Sequence, residues 1–229
     1  MVKVYFLLIL FLPTFLLQQW SKRASHYFKD LGYKLEEIAI VNDTILETRI
    51  DTVKVPNFSF SHNSLRTINS ETLLGSNYII QFFFTACPTI CPASTANIKS
   101  EVHDKFINVD DFKIISISIA EDSPQKMLDY CDRFKIDSPN WMFLTGSRDQ
   151  AWSFATQLSL SAGFGSEEEG GFYHSPFIVL VDKEGFIRTG IDKQKNIKPV
   201  WDATSFSDME LLSEDISQLF FNQNKPFKE

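Results

Sequence analysis

The stretch that most constrains how this chain can fold runs from Tyr78 to Pro92. Tyr78-Ile79-Ile80-Gln81-Phe82-Phe83-Phe84 is apolar except at Gln81, the pattern of a central strand covered on both faces. Thr85-Ala86-Cys87-Pro88-Thr89-Ile90-Cys91-Pro92 follows at once, and beyond it Ile98, Val102 and Phe106 recur every four residues as a helix stripe. The strand therefore delivers two thiols onto the start of a helix. Unsatisfied N–H groups and the macrodipole there favour the thiolate form. Cys91 falls on the first turn and Cys87 in the loop leading to it. Four residues of separation put Cβ atoms about 5–6 Å apart if both are helical. That is wide for a disulfide, whose Cβ atoms sit about 3.8 Å apart. It suits a metal bridging two thiolates, and a small loop adjustment still admits the disulfide. Redox chemistry and metal binding both remain open on these residues alone.

Strands and helices alternate around this centre. Residues 55–60 alternate apolar and polar with Pro56 at the edge, as a first strand should. Residues 112–119 form a β-branched strand, and Ser123-Pro124 opens a helix with Ser123 as N-cap. Met127, Leu128, Cys131 and Phe134 are expected on the buried face of that helix, which makes Cys131 a packing residue. Residues 141–144 read as a strand, 150–160 as a helix, 177–182 as a strand with a hairpin return through Lys183-Glu184-Gly185, and 208–221 as a final helix. Glu167-Glu168-Glu169, flanked by glycines in 163–171, reads as a solvated mobile loop. Residues 192–207, with Trp201, are longer than a simple link. The alternation predicts a three-layer α/β sandwich over 55–222, after a linker and N-terminal extension at 21–54 and before a tail at 223–229.

A net charge of -7 without a basic cluster argues against nucleic acid as a partner, and three cysteines are too few for a disulfide scaffold. Residues 4–17 are nearly all apolar, with Lys3 before them and Lys22 and Arg23 behind. This run is short of the ~20 residues of a spanning helix, but extension through Trp20 reaches the lower edge of that range. No small-x-small cleavage site follows and no cysteine there can take a lipid, so residues 1–20 read as an export signal retained as a membrane anchor.

A metal needs a ligand beyond the two thiols, and the chain has four histidines. His26 lies in the linker, His62 in a turn, and His103 about three helical turns beyond Cys91. His174 precedes the strand at 177–181. In thioredoxin-like folds the residues entering that strand lie against the cysteine loop, which favours His174 as a ligand over a surface histidine.

The segment Phe83-Phe84-Thr85-Ala86-Cys87-Pro88-Thr89-Ile90-Cys91-Pro92 resembles the signature of the SCO/SenC proteins, thioredoxin-like copper chaperones of cytochrome c oxidase assembly. Ile117-Ser118-Ile119 with Asp122-Ser123-Pro124, Trp141-Met142-Phe143-Leu144-Thr145-Gly146, His174-Ser175 and Leu180-Val181-Asp182-Lys183-Glu184-Gly185 resemble further family motifs in the same order. The resemblance covers residues 55–222. It implies a thioredoxin-like three-layer α/β/α sandwich with a central mixed sheet behind an N-terminal hydrophobic anchor. It also implies one copper ion held by Cys87, Cys91 and His174, a ligand set soft enough for copper(I) and able to hold copper(II). The family's acidic residue maps to Asp122, beside Glu121, in a shorter loop than usual. Asp122 could orient His174, shape a partner surface, or simply begin the helix. Pro176 stands where thiol oxidoreductases of this fold carry a cis-proline.

The function implied is delivery of copper to the copper-containing subunit of a respiratory cytochrome oxidase, with a thiol reductant protein as a second partner. The domain would face the periplasm from the inner membrane, or be secreted there if the anchor is cleaved. The alternative is a thiol–disulfide reductase in which Cys87 and Cys91 form a catalytic redox pair that keeps the oxidase's copper-site cysteines reduced. His174 separates the two readings, since a purely redox protein has no need of it.

Overall fold

The computed structural model describes the strand residues 33–36, 40–41 and 44–45, then residues 49–62, 66–191, 194 and 197–223. The expected N-terminal anchor, much of the linker and nearly all of the tail lie outside the described residues. Among the described residues no helix is long and apolar enough to cross a membrane.

In chain order the strands that build the central sheet and the site are β1 (Ser59–His62), β2 (Thr67–Asn69), β3 (Asn77–Phe83), β4 (Phe112–Ser118), β5 (Trp141–Thr145), β6 (Ala162–Phe164), β7 (Phe172–His174), β8 (Phe177–Val181), β9 (Ile187–Arg188) and β10 (Trp201–Asp202). Eight of them form one mixed sheet in the order β9-β8-β3-β4-β5-β1-β2, with β10 beside β8. β3, β4 and β5 run parallel, while β8 and β1 flank them antiparallel. The principal helices are α1 (Ile90–Ile98), α2 (Pro124–Phe134), α3 (Arg148–Gln157) and α4 (Phe206–Gln223).

β3 is central because every one of its seven residues is buried. Successive side chains point to opposite faces, so Phe82 meets Phe154 of α3 while Phe83 meets Tyr130 of α2. α1 joins α2 on the second face through Thr95 and Tyr130, and α4 does so through Phe220 against Phe112. The result is the expected thioredoxin-like α/β/α sandwich. Gln81, the one polar break in the apolar run, donates to Ser116, which also accepts from the Trp141 indole. A buried amide is tolerated there because its donor is satisfied.

Several local expectations shift. The strand expected over 55–60 begins at Ser59, although Val55 and Phe58 are buried ahead of it. α1 starts at Ile90, and its stripe passes through a π-helical turn at Lys99–His103 before reaching Phe106. On α2 Leu128 is 43% exposed, and Tyr130 takes the buried place expected of it. The stripe beginning at Met127 is shared at the i+3 and i+4 positions by Tyr130 and Cys131. The glycine- and glutamate-rich loop is an ordered hairpin, β6–β7, whose tip is a 3-10 turn with a Ser166–Glu169 capping box. The described part of 192–207 also proves structural. Ile197–Lys198 pairs with Gly190–Ile191, and β10 extends the sheet along the N-terminal half of β8. The peptide before Pro176 is trans, as no cis bond occurs among the described residues.

Candidate metal centre

β3 ends one residue before Phe84, and the chain then turns into α1, with the Cys87 amide donating to the Phe84 carbonyl. Thr89 holds the N-cap position of α1 but its side chain makes no capping bond. The Cys87 sulfur takes that role, accepting the Cys91 amide at 3.4 Å with the Thr89 hydroxyl 3.7 Å away. Cys87 thus sits outside the helix and caps it, where orphan N–H groups favour an anion. The structure brings Cys91 and His174 to the same point.

His174 is the last residue of β7. Its Nδ1 lies 2.9 Å from the Ser175 carbonyl oxygen, which can only accept, so Nδ1 carries the proton and Nε2 presents its lone pair. Nε2 is 3.1 Å from the Cys91 sulfur. The ring packs edge-on to Phe84, which also holds Phe172 of the same strand. The hairpin approaches the cysteine loop this closely because residue 170 is glycine. At its φ of +83°, a Cβ would lie 3.0 Å from the Ala86 carbonyl oxygen and 3.1 Å from the Phe84 ring.

One sulfur of Cys87, one of Cys91 and one ring nitrogen of His174 lie within 4.8 Å of one another. All three residues are buried, Cys87 at 7% exposure, Cys91 at 1% and His174 at 6%. Cys87 titrates far below the ordinary thiol because its thiolate accepts from the Cys91 thiol, against the cost of burial. Cys91 is pushed well above it, since losing its proton would set two thiolates side by side in a buried site. The cluster holds three soft or borderline donors and few protons to share among them, a donor set that fits a soft cation. Cys131, pushed up to about 11 by burial, is an inert packing thiol as expected.

The remaining candidates separate from the centre. His103 is buried beside Trp141 with its Nδ1 on Asp104, and it is not part of the group that converges on the centre. Asp122 does not orient His174. Its Oδ2 accepts from the Thr85 amide and the Ser118 hydroxyl, each at 2.9 Å, and its Oδ1 accepts from the Thr85 hydroxyl at 2.6 Å. Sequence reasoning missed Tyr130, which shares a 2.7 Å hydrogen bond with Thr95 and donates to the Cys91 carbonyl. Its α2 position beside Cys131 was the available signal.

The unequal titration of the two thiols has a measurable outcome. In reduced, metal-free protein, alkylation by iodoacetamide is expected at Cys87, at a rate nearly flat between about pH 6 and 9 because that sulfur is already ionised. Cys91 and Cys131 should stay unmodified over that range, as peptide mapping by mass spectrometry would read. A Cys87 rate that rises tenfold per pH unit would contradict the assignment.

A family model described as SCO1/SenC matches residues 47–205, well over half of the chain. The chain is 29% identical over 136 residues to the SCO1 protein homolog of Bacillus subtilis, a match covering 58% of this chain and 70% of that one. Among solved structures, a SCO1/SenC family lipoprotein from Bacillus anthracis superposes with a TM-score of 0.62 at 21% identity, over 73% of this chain and 95% of that one. ScoI of Bradyrhizobium japonicum, solved with copper bound, superposes with a TM-score of 0.57 at 20% identity, over 73% and 99%. The superpositions establish the shared fold, and the family match shows that this chain belongs to the SCO1/SenC family.

Proposed function

We propose that this SCO1/SenC protein is a copper metallochaperone. It holds one copper ion between Cys87, Cys91 and His174 and passes it to the copper-containing subunit of a respiratory cytochrome oxidase during assembly. The observation that carries this reading is the convergence of two sulfurs and an imidazole nitrogen within 4.8 Å in a buried site. The copper bound in the Bradyrhizobium neighbour supports it. Copper is cargo here. Two thiolates and one imidazole suit copper(I), and the His174 Nδ1–H bond to Ser175 fixes the ring with Nε2 toward the sulfurs. Transfer proceeds by ligand exchange, in which acceptor thiols replace the three donors one at a time and no free ion is released.

The same reading assigns residues 1–20 to an export signal or inner-membrane anchor, 21–54 to a linker, 55–222 to the copper-binding domain and 223–229 to a tail, with the domain in the periplasm. Mixing copper(I)-loaded protein with the metal-free copper-binding domain of an oxidase subunit tests the delivery step. Copper is expected to move to the acceptor in the presence of a strong copper(I) chelator that competes for free ion. Trapping of the copper by the chelator instead would contradict direct transfer.

A second reading is favoured by the ionised Cys87 beside the protonated Cys91. The Cys87 thiolate would attack one sulfur of a target disulfide and release the other as a thiolate. Cys91 would then give up its proton and close the Cys87–Cys91 disulfide, freeing the second target thiol. Two electrons pass to the target, and a thiol reductant protein restores the pair. This reading requires the Cys87–Cys91 potential to lie below that of the target disulfide. A higher measured potential removes it.

A further inference from the structure

We propose that Asp122 and Glu121 are positioning residues for this ligand set, one bracing the cysteine loop and the other the hairpin that carries His174. The inference rests on the metal-binding reading above. The turn after β4 is the structural point from which both halves of the site are held. On the cysteine side, the buried Asp122 carboxylate takes both the amide and the hydroxyl of Thr85, two residues before Cys87. Its third donor is Ser118, the last residue of β4. The carboxylate therefore ties the start of the cysteine loop to the neighbouring strand by three hydrogen bonds.

On the histidine side, Glu121 adopts a φ of +55°, a left-handed backbone unusual for a residue other than glycine. Its side chain reaches the start of α3. Glu121 Oε1 accepts the amide of Arg148, the first residue of α3, at 3.0 Å, and Oε2 faces Arg148 Nε at 3.4 Å. The Arg148 guanidinium lies 5.7 Å from the Phe164 ring centroid, on β6. Phe164 packs edge-on to Trp152 of α3, whose indole donates to the Ile119 carbonyl, back at the end of β4. Phe164 also stacks on Phe172, two residues before His174, and Phe172 meets Phe84 at the other end of the circuit. The sequence Ser118 to Asp122 thus closes a ring of contacts around the centre without touching a ligand atom.

The two arms differ in strength. Asp122 is buried and its three partners are short-range donors, whereas Glu121 and Arg148 are exposed and screened by solvent. Asp122→Ala is expected to weaken copper(I) binding by about tenfold, the lower end of the range for groups bonded directly to a ligand. In copper-free protein it should speed Cys87 alkylation by about tenfold. Asp122→Asn, which keeps an acceptor for the Thr85 amide, should recover most of both effects.

Glu121→Ala should weaken copper(I) binding only about twofold to fivefold and leave Cys87 alkylation unchanged. It should speed amide exchange in β6 and β7, and it should have no further effect on copper affinity in a His174→Ala background. Thr85→Val, which removes the hydroxyl bond alone, gives the cysteine arm a test should Asp122→Ala fail to fold. Its expected signature is faster Cys87 alkylation at an unchanged fold.

Unchanged Cys87 alkylation and copper affinity within twofold in Asp122→Ala would overturn the cysteine arm. A Glu121→Ala effect that persists undiminished without His174, or hairpin exchange equal to the parent's, would overturn the histidine arm. If the parent protein binds no copper, the metallochaperone reading fails. The alkylation and exchange measurements would still decide the two braces.

Discussion

Reduced protein carrying Cys91→Ser is expected to bind copper(I) more than a hundredfold more weakly than the parent, while remaining folded. Loss of an outer-shell partner alone costs metal sites about tenfold to a hundredfold, and here a donor atom is removed. A serine hydroxyl is a hard, protonated ligand at neutral pH and cannot replace a thiolate for a soft ion. The fold should tolerate the change. Cys91 is 1% exposed and lies against His174 Nε2, so a hydroxyl in its place keeps a hydrogen-bond partner and leaves no large cavity. Competition against a calibrated copper(I) chelator reads the affinity, and the thermal transition reads the fold. Cys131→Ser on α2 is the matched control and should leave copper affinity unchanged. Equal affinities for the parent and Cys91→Ser would remove Cys91 from the site.

Trp201→Ala is expected to cost about 3–5 kcal/mol of stability, the range for deleting a large buried ring. Trp201 is fully buried on β10, its indole N–H donates to the buried Asp215 of α4 at 3.0 Å, and its ring closes over Gly190. Deleting the ring opens a cavity between the sheet edge and α4 and takes a donor from a buried carboxylate, and the two losses act together. Trp201→Phe keeps much of the volume and loses the indole bond, so its cost should be about 1–3 kcal/mol. Urea denaturation measures both as shifts in midpoint at an unchanged slope. A loss below about 0.5 kcal/mol for the alanine variant would mean that residues 192–207 are a surface loop.

That segment marks the limit of what the sequence could say. Trp201 and Asp202 form a two-residue strand recognised only by its pairing with Phe177 and Ile178, and no periodicity develops over two residues. The β6–β7 hairpin escaped notice for a related reason. Its strands are three residues each, and its glycines and glutamates have the composition of a solvated loop. Gly170-Gly171 signalled a turn but not that the turn would press on Ala86 and Phe84. By contrast β3 was legible as a continuous apolar run, and β4, α2 and α4 because their apolar residues repeat at strand or helix spacing over seven or more positions.

The candidate ligand set was legible in parts. Cys87 and Cys91 announced themselves by position between a strand and a helix, and His174 by its place before β8. Their convergence depends on tertiary contacts 83 residues apart in sequence, which spacing cannot report. The role of Asp122 was open to three readings, and only its bonds to Thr85 and Ser118 show that His174 is not its partner.

X-ray absorption at the copper edge, on the reduced protein loaded with copper(I), tests the central claim most directly. The expected first shell has two sulfur scatterers and one imidazole nitrogen, and the imidazole outer-shell signal should vanish in His174→Ala. A shell of sulfur alone in the parent, or the same spectrum from the parent and His174→Ala, would contradict a centre built from Cys87, Cys91 and His174.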